Sequence, residues 1–90
     1  MSAFSEESLA RIMQALASCE RRNPLYHDEL TQDRLAASFG YGESIEIWLE
    51  NGKYQSRQQR ERSTVIDVYP DEAAAVKHFI RVCRGGLSGF

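Results

Sequence analysis

Hydrophobic and polar residues alternate over residues 45–50, which predicts a β-strand with one buried face. The segment reads Ile45-Glu46-Ile47-Trp48-Leu49-Glu50, and a two-residue period places its apolar side chains on one side. Asn51-Gly52 follows directly. A type I′ turn requires positive φ at both central residues, which Asn and Gly tolerate best. The pattern therefore predicts a β-hairpin whose second strand begins at Lys53.

A two-residue turn fixes which residues of the hairpin face each other. The predicted pairs are Glu50 with Lys53, Trp48 with Gln55 and Glu46 with Arg57 on one face, and Leu49 with Tyr54 and Ile47 with Ser56 on the other. Two of these pairs have opposite charges and one is apolar. Each such pair contributes only about 0.2–1 kcal/mol, so their agreement supports the register more than any single energy does.

A third strand is predicted at Thr64–Tyr69, after a connection formed by Glu61-Arg62-Ser63. Its alternation places Ile66 and Val68 on one face, and Val65, Asp67 and Tyr69 on the other. Residues 24–44 give a weaker signal, because a segment of helical composition lies there between Pro24 and a glycine-rich run. A loop with a short strand or a helical turn is predicted for this segment.

Amphipathic helices are predicted on both sides of the strands. The first spans residues 5–22, with Ser5 as its cap and an apolar stripe formed by Leu9, Ile12, Met13 and Leu16. Asn23-Pro24 ends it, because a residue before proline is pushed out of the helical region. The second spans residues 71–84, with Asp71 as its cap and a stripe formed by Val76, Phe79, Ile80 and Cys83. Residues 85–90 are predicted to be a flexible tail.

These elements predict one α+β domain over residues 1–90: an N-terminal helix, a three- to four-stranded antiparallel meander over residues 45–69, and a C-terminal helix. With both helices on one sheet face, the other face stays uncovered. An aromatic pair framed by charges on a rigid surface is typical of a protein interface. The predicted partner-binding residues are Glu46, Trp48, Glu50, Gln55, Arg57, Gln59, Asp67 and Tyr69. The alternative is that residues 24–44, or Phe90, cover Trp48.

Charge and cysteine content exclude several classes of protein. Eleven basic and thirteen acidic residues give a net charge of −2, so no global field favours nucleic acid or an anionic membrane. Cys19 and Cys83 occupy apolar helical positions and are predicted to be core thiols of a reduced protein. The N-terminal residues lack the basic-then-apolar run of a secretion signal, and no apolar segment is long enough to span a bilayer. We therefore expect a cytoplasmic protein that does not contact membranes.

No pattern in the chain predicts catalysis. His27 and His78 are separated by the whole predicted sheet, and neither a glycine-rich phosphate loop nor a serine elbow is present. His27-Asp28-Glu29 lacks recognisable metal-ligand spacing. We expect a protein that is not an enzyme and uses neither a metal nor a cofactor.

Nucleic acid is the less favoured partner. The segment Arg57–Arg62 reads RQQRER and could contact phosphates. Glu61 and the nearby Glu46 and Glu50 dilute its charge, however, and no groove-reading helix accompanies it. A solvated strand and turn explains the segment equally well. A small adaptor that uses the uncovered sheet face and residues 57–62 to bind protein or nucleic acid is the alternative function.

The segment from Glu46 to Ile80 resembles small immunity proteins of bacterial polymorphic toxin systems, including contact-dependent growth inhibition. The matching residues are Ile47-Trp48-Leu49 and Asn51-Gly52-Lys53-Tyr54 in the hairpin, Glu61-Arg62 in the turn, the run from Tyr69 to Ile80 in the helix, and Leu25-Tyr26 after the first helix. Ser63 stands where the family usually has glycine.

The resemblance implies a non-catalytic protein that binds the C-terminal domain of one cognate toxin in the cytoplasm and blocks its active site. Many such toxins are nucleases with basic clefts, where Glu46, Glu50 and Asp67 would take the place of phosphates. The oligomeric state stays open between a monomer and a weak dimer.

Overall fold

A computed structural model describes residues 2–19, 28–39, 42–60 and 62–85. Within these ranges the elements are α1 (Glu6–Ala17), β1 (Glu29–Leu30), β2 (Arg34–Ser38), β3 (Ser44–Glu50), β4 (Lys53–Arg60), β5 (Ser63–Tyr69) and α2 (Glu72–Gly85). The strands form one antiparallel meander in the order β1-β2-β3-β4-β5. The predicted α+β architecture is confirmed, with five strands in place of three or four.

The two additional strands lie in the segment for which a loop with a short strand or helical turn was predicted. Thr31 closes the turn between them, because its hydroxyl accepts hydrogen bonds from the backbone N–H groups of Asp33 and Arg34 at 3.2 and 3.1 Å. Leu35 and Ala37 in β2 are buried, while their neighbours are half-buried. Pairing with β3 and a local turn therefore overrode the helical composition of this segment.

Helix α1 begins as predicted and ends earlier. The Ser5 hydroxyl accepts the backbone N–H of Ser8 at 3.2 Å. The helix ends at Ala17, so the prediction of a helix over residues 5–22 is wrong at Ser18 and Cys19. The Ser18 hydroxyl donates to the carbonyl of Gln14 at 3.2 Å, a local bond that competes with continuation of the helix. Residues 20–27, which include the predicted Asn23-Pro24 stop, lie outside the described ranges.

Helix α2 agrees with its prediction to within a residue at each end. Asp71 caps it, since its carboxylate accepts the backbone N–H of Ala74 at 2.8 Å. Gly85 is its last residue, and the rest of the predicted tail, residues 86–90, lies outside the described ranges. Neither described helix is long and apolar enough to cross a lipid bilayer.

The core lies between the two helices and one face of the sheet. Helix α1 packs on α2, and α2 crosses β3, β4 and β5. The largest fully buried side chains are Phe4, Phe39, Phe79, Ile12, Leu35, Ile45 and Ile47. Cys83 is buried in this core and Cys19 is half-buried beside it, and the two are not joined by a disulfide.

The predicted hairpin register is confirmed at every pair. Strands β3 and β4 pair Glu50 with Lys53 and continue in step to Glu46 with Arg57, with Leu49 opposite Tyr54 and Ile47 opposite Ser56. Asn51 has φ 54° and Gly52 has φ 76°. Positive φ at both positions is what a type I′ turn requires.

The predicted facing of the third strand is wrong. Arg60 pairs with Ser63, so two residues connect β4 to β5 where three were predicted. A shift of one residue in register moves every side chain of a strand to the opposite face. Tyr69 and Asp67 therefore lie opposite Tyr54 and Ser56 on the helix-covered face, and Ile66 and Val68 lie on the uncovered one.

Candidate functional site

The face of the sheet that points away from the helices is the candidate site, and we call it the open face. Alternation along each strand and the pairing between strands define its members. They are Glu29, Arg34, Ala36, Ser38, Ser44, Glu46, Trp48, Glu50, Lys53, Gln55, Arg57, Gln59, Thr64, Ile66 and Val68. No described residue folds across it: residues 28–39 extend the sheet beside β3 and place Arg34 opposite Trp48.

Glu46 is the centre of a charge network on the open face. One of its carboxylate oxygens pairs with Arg34 of β2, and the other pairs with Arg57 of β4. Arg34 also pairs with Glu29 of β1. The Glu46 side chain is only 14% exposed. The network therefore links four neighbouring strands, and it holds a carboxylate that would be costly to bury alone.

The carboxylates also fix the charge state of Arg34. Its hydrogen bond to Glu46 is the largest influence and raises the pKa of the guanidinium above its ordinary value, against a smaller lowering by burial. Charge-assisted bonds of this kind are directional and hold the planar guanidinium in one orientation. The charged part of the open face is therefore preorganised.

A shallow depression open to solvent lies over this network. It is lined by Glu29, Thr31, Asp33, Arg34, Glu46, Trp48 and Arg57. Trp48 is half-buried, and Asp33 is exposed at the turn between β1 and β2. An indole beside carboxylates is a suitable surface for a cationic side chain, which gains both a cation–π contact and an ion pair.

Beside the charged part, the open face carries an exposed apolar strip at β5. Ile66 is 65% exposed and Val68 is 52% exposed. Ile66 lies opposite Arg57, and Val68 lies opposite Gln55. Trp48 and this strip lie on either side of β4, so the face combines exposed apolar and aromatic side chains with arginines, residue types that are enriched in protein interfaces.

Six of the eight predicted site residues lie on the open face: Glu46, Trp48, Glu50, Gln55, Arg57 and Gln59. Asp67 and Tyr69 do not, since the two-residue connection turns them to the helix side. The prediction missed Arg34, Ile66 and Val68. Arg34 lies in a segment whose helical composition did not indicate a strand. Ile66 and Val68 alternate along their strand as the residues of a buried face do.

Tyr69 instead belongs to a polar cluster under α2. Its ring stacks on His78 with centroids 4.7 Å apart and an angle of 29° between planes. His78 is buried; its Nε2 lies 2.7 Å from the amide of Gln58 and its Nδ1 lies 3.2 Å from Arg81 Nη2. The contacting atoms of Gln58 and Arg81 are both nitrogen donors, and a charged imidazolium could accept from neither, so the imidazole is neutral. Burial is the largest cause that lowers the pKa of His78.

The side chains of this cluster pack between α2 and the sheet. Gln58 and His78 are both buried, so reacting groups would have no access to them from the open face. Among the residues that the structure describes, no three His, Cys, Asp or Glu side chains lie together in a way that could hold a metal ion. His27 lies outside the described ranges.

Comparisons of the chain with protein-family models, with curated proteins and with solved structures find no match. Geometry alone therefore defines the site. The open face spans five strands, four of which are joined by ion pairs, and its depression is open to solvent. Small-molecule sites are concave and enclose most of their ligand, so this geometry favours a macromolecular partner.

Proposed function

We propose that this protein is an immunity protein, whose open face binds a cognate toxin domain and blocks that domain's active site. One observation carries the proposal: Trp48, the ion-paired Glu46 and the exposed Ile66 share a rigid sheet face that no described residue covers. Large apolar side chains held on a rigid sheet lose little conformational entropy when a partner binds to them. The likeness of residues 46–80 to immunity proteins supplies the class of partner.

The charges on the open face favour a basic surface on the toxin. Glu50 is exposed at the end of β3, and Glu29 and Asp33 are exposed at the depression. Glu46 differs, because two arginines already engage its carboxylate, and Asp67 lies on the other face. Glu29 is also engaged, since it pairs with Arg34. The exposed carboxylates that we assign to replace phosphates in a nuclease cleft are therefore Asp33 and Glu50. A lysine or arginine of the toxin would lie against Trp48 between them.

The same ion pairs argue against nucleic acid as the partner. Arg57 pairs with Glu46, and Arg60 lies 3.9 Å from Glu43. Binding to a phosphate backbone depends on cations that release counterions from it. Two of the three arginines predicted for that role are engaged by carboxylates of the chain itself, so the adaptor function based on residues 57–62 loses its main support.

The proposal is tested by co-expression with the product of the adjacent upstream open reading frame. That product alone should arrest growth, and this chain should relieve the arrest and co-purify with it. Trp48→Ala should weaken both rescue and co-purification, whereas Met13→Ala, which removes an exposed apolar side chain from α1, should leave both unchanged. A neighbour that is not toxic and forms no complex would contradict the proposal.

A further inference from the structure

Strand β5 forms one edge of the sheet, and no described strand pairs with its outer side. All seven of its residues pair with β4 without interruption. No hydrogen bond within the described residues reaches the backbone of Thr64, Ile66 or Val68 from outside the sheet. Edge strands carry a row of backbone donors and acceptors that can pair with another strand.

The register identifies which backbone groups point outward. Residues of an interior antiparallel strand bond alternately to their two neighbours. Lys53 closes the Asn51-Gly52 turn toward β3, so alternate residues from Tyr54 to Arg60 bond toward β5. Their partners in β5 are Tyr69, Asp67, Val65 and Ser63. The N–H and C=O groups of Thr64, Ile66 and Val68 therefore point away from the sheet.

Several of the usual protections of an edge strand are missing from β5. It contains no lysine, proline or bulge, and its only charged residue is Asp67 on the helix side. The residues whose backbone points outward include the two most exposed large apolar side chains of the described chain, Ile66 and Val68. Outward-pointing backbone donors and acceptors are thus present on three residues, two of which also carry exposed apolar side chains.

We infer that β5 pairs antiparallel with β5 of a second copy of this chain, about a two-fold axis at Ile66. This register places Ile66 opposite Ile66 of the partner subunit, and Thr64 opposite the partner's Val68. All three outward-pointing residues then bond across the interface. Cross-strand pairs of β-branched side chains line the open face, where such pairs are favourable.

Neighbouring registers are worse for physical reasons. Shifting the axis one residue toward the C-terminus sets Asp67 opposite the partner's Asp67, and like charges directly opposite each other are destabilising. Shifting the axis one residue toward the N-terminus places the C-terminal end of β5 opposite the β4–β5 connection of the second copy. Fewer residues of the two strands then pair. With the axis at Ile66, the residues of β5 that face outward pair favourably with the same residues of a second copy. We therefore assign a second copy of this chain as the partner.

The resulting dimer has one continuous sheet of ten strands and places the two open faces side by side. The contact is short compared with a standard interface of roughly 1,600 Å². We therefore expect a weak dimer that forms with rising concentration. It requires no toxin, so its failure would leave the proposed function untouched.

Sedimentation velocity of the purified chain tests the inference. The mass should rise with concentration from that of one chain, 10.3 kDa, to twice that value. Ile66→Pro removes both central donors and is compatible with an edge strand whose N–H faces outward; it should raise the dissociation constant by at least about tenfold. Met13→Ala is the control and should leave the dimer intact. Circular dichroism verifies that each variant is folded.

The register is tested by exchanging charges. Thr64→Lys and Val68→Glu should each weaken the dimer, because each sets one charge against an uncharged partner residue. The double variant sets each new lysine opposite a new glutamate of the partner and should restore association. A chain that stays monomeric at submillimolar concentration, or a dimer insensitive to Ile66→Pro, would overturn the edge pairing. Failure of the double variant to restore association would overturn the register.

Discussion

Arg57 of β4 lies directly opposite Ile66 of β5, on the sheet face that the helices leave uncovered. This pairing exposes an isoleucine that the alternation of its strand alone would assign to the core. It follows from a β4–β5 connection of two residues. The composition of the open face, and the edge on which we infer dimerisation, both depend on it.

The first prediction compares this isoleucine with a buried one. Ile66→Thr should change the free energy of unfolding by no more than about 0.5 kcal/mol, because Ile66 is exposed and Thr keeps the β-branched shape. Ile47→Thr should cost at least about 2 kcal/mol, because Ile47 is fully buried and the new hydroxyl has no partner there. Urea denaturation at low protein concentration measures both. Equal costs would mean that β5 faces the other way.

The hairpin and α2 could be predicted from the sequence because their signals are local. Asn51-Gly52 determines both turn geometry and register, and Asp71 caps a helix with a regular apolar stripe. The facing of β5 could not be predicted in the same way, since both of its faces carry apolar residues and the connection length decided between them. For residues 24–44 the sequence predicted a loop with one short strand or a helical turn where the structure has β1 and β2. The local composition there is helical, and pairing of β2 with Ile45 and Ile47 of β3 stabilises it as a strand.

The second prediction concerns Trp48. Trp48→Ala should leave the fold largely intact while weakening toxin binding by at least about 1–2 kcal/mol, as expected for a central aromatic side chain of an interface. Phe79→Ala should destabilise the domain by about 3–5 kcal/mol, because Phe79 is fully buried in the core. Thermal denaturation and calorimetric titration separate the two effects. A loss of stability for Trp48→Ala as large as that for Phe79→Ala would show that Trp48 belongs to the core.

The third prediction concerns Glu72, which joins the start of α2 to the start of α1. One oxygen of its carboxylate accepts bonds from the backbone N–H and the hydroxyl of Ser5, both at 3.0 Å, and from the Ser8 hydroxyl. The bond from the Ser5 backbone is the largest cause that lowers the pKa of Glu72 below its ordinary value of 4.5. Stabilisation by this group is therefore fully present above pH 4.5 and is lost as the pH falls through the folded-state pKa.

Glu72→Gln should lower the free energy of unfolding at neutral pH by roughly 1 kcal/mol, since the site is partly exposed. It should also reduce the loss of stability below pH 4.5. Glu7→Gln is the matched control, because Glu7 is an exposed carboxylate of α1. Chemical denaturation across acidic pH checks both variants. If the free energy of unfolding of Glu72→Gln falls below pH 4.5 as steeply as that of the original chain, the role assigned to Glu72 is contradicted.

The fourth prediction concerns His78, the neutral imidazole stacked on Tyr69. Its pKa in the folded chain is lowered from 6.5, chiefly by burial and then by Arg81. Between these two values the unfolded chain binds a proton that the folded chain excludes, so stability falls as the pH drops from 6.5 toward the folded-state pKa. His78→Leu should flatten this dependence. Persistence of the same slope in that variant would assign it to another group.

The most direct test of the open face as a binding surface uses Trp48 itself, which is the single tryptophan of the chain. Incorporating 5-fluorotryptophan gives one fluorine resonance that reports on the centre of this face. Binding of the co-purified toxin domain should shift that resonance and reduce its sensitivity to solvent. A resonance that stays unchanged while the complex forms would place the partner elsewhere on the molecule and contradict the account.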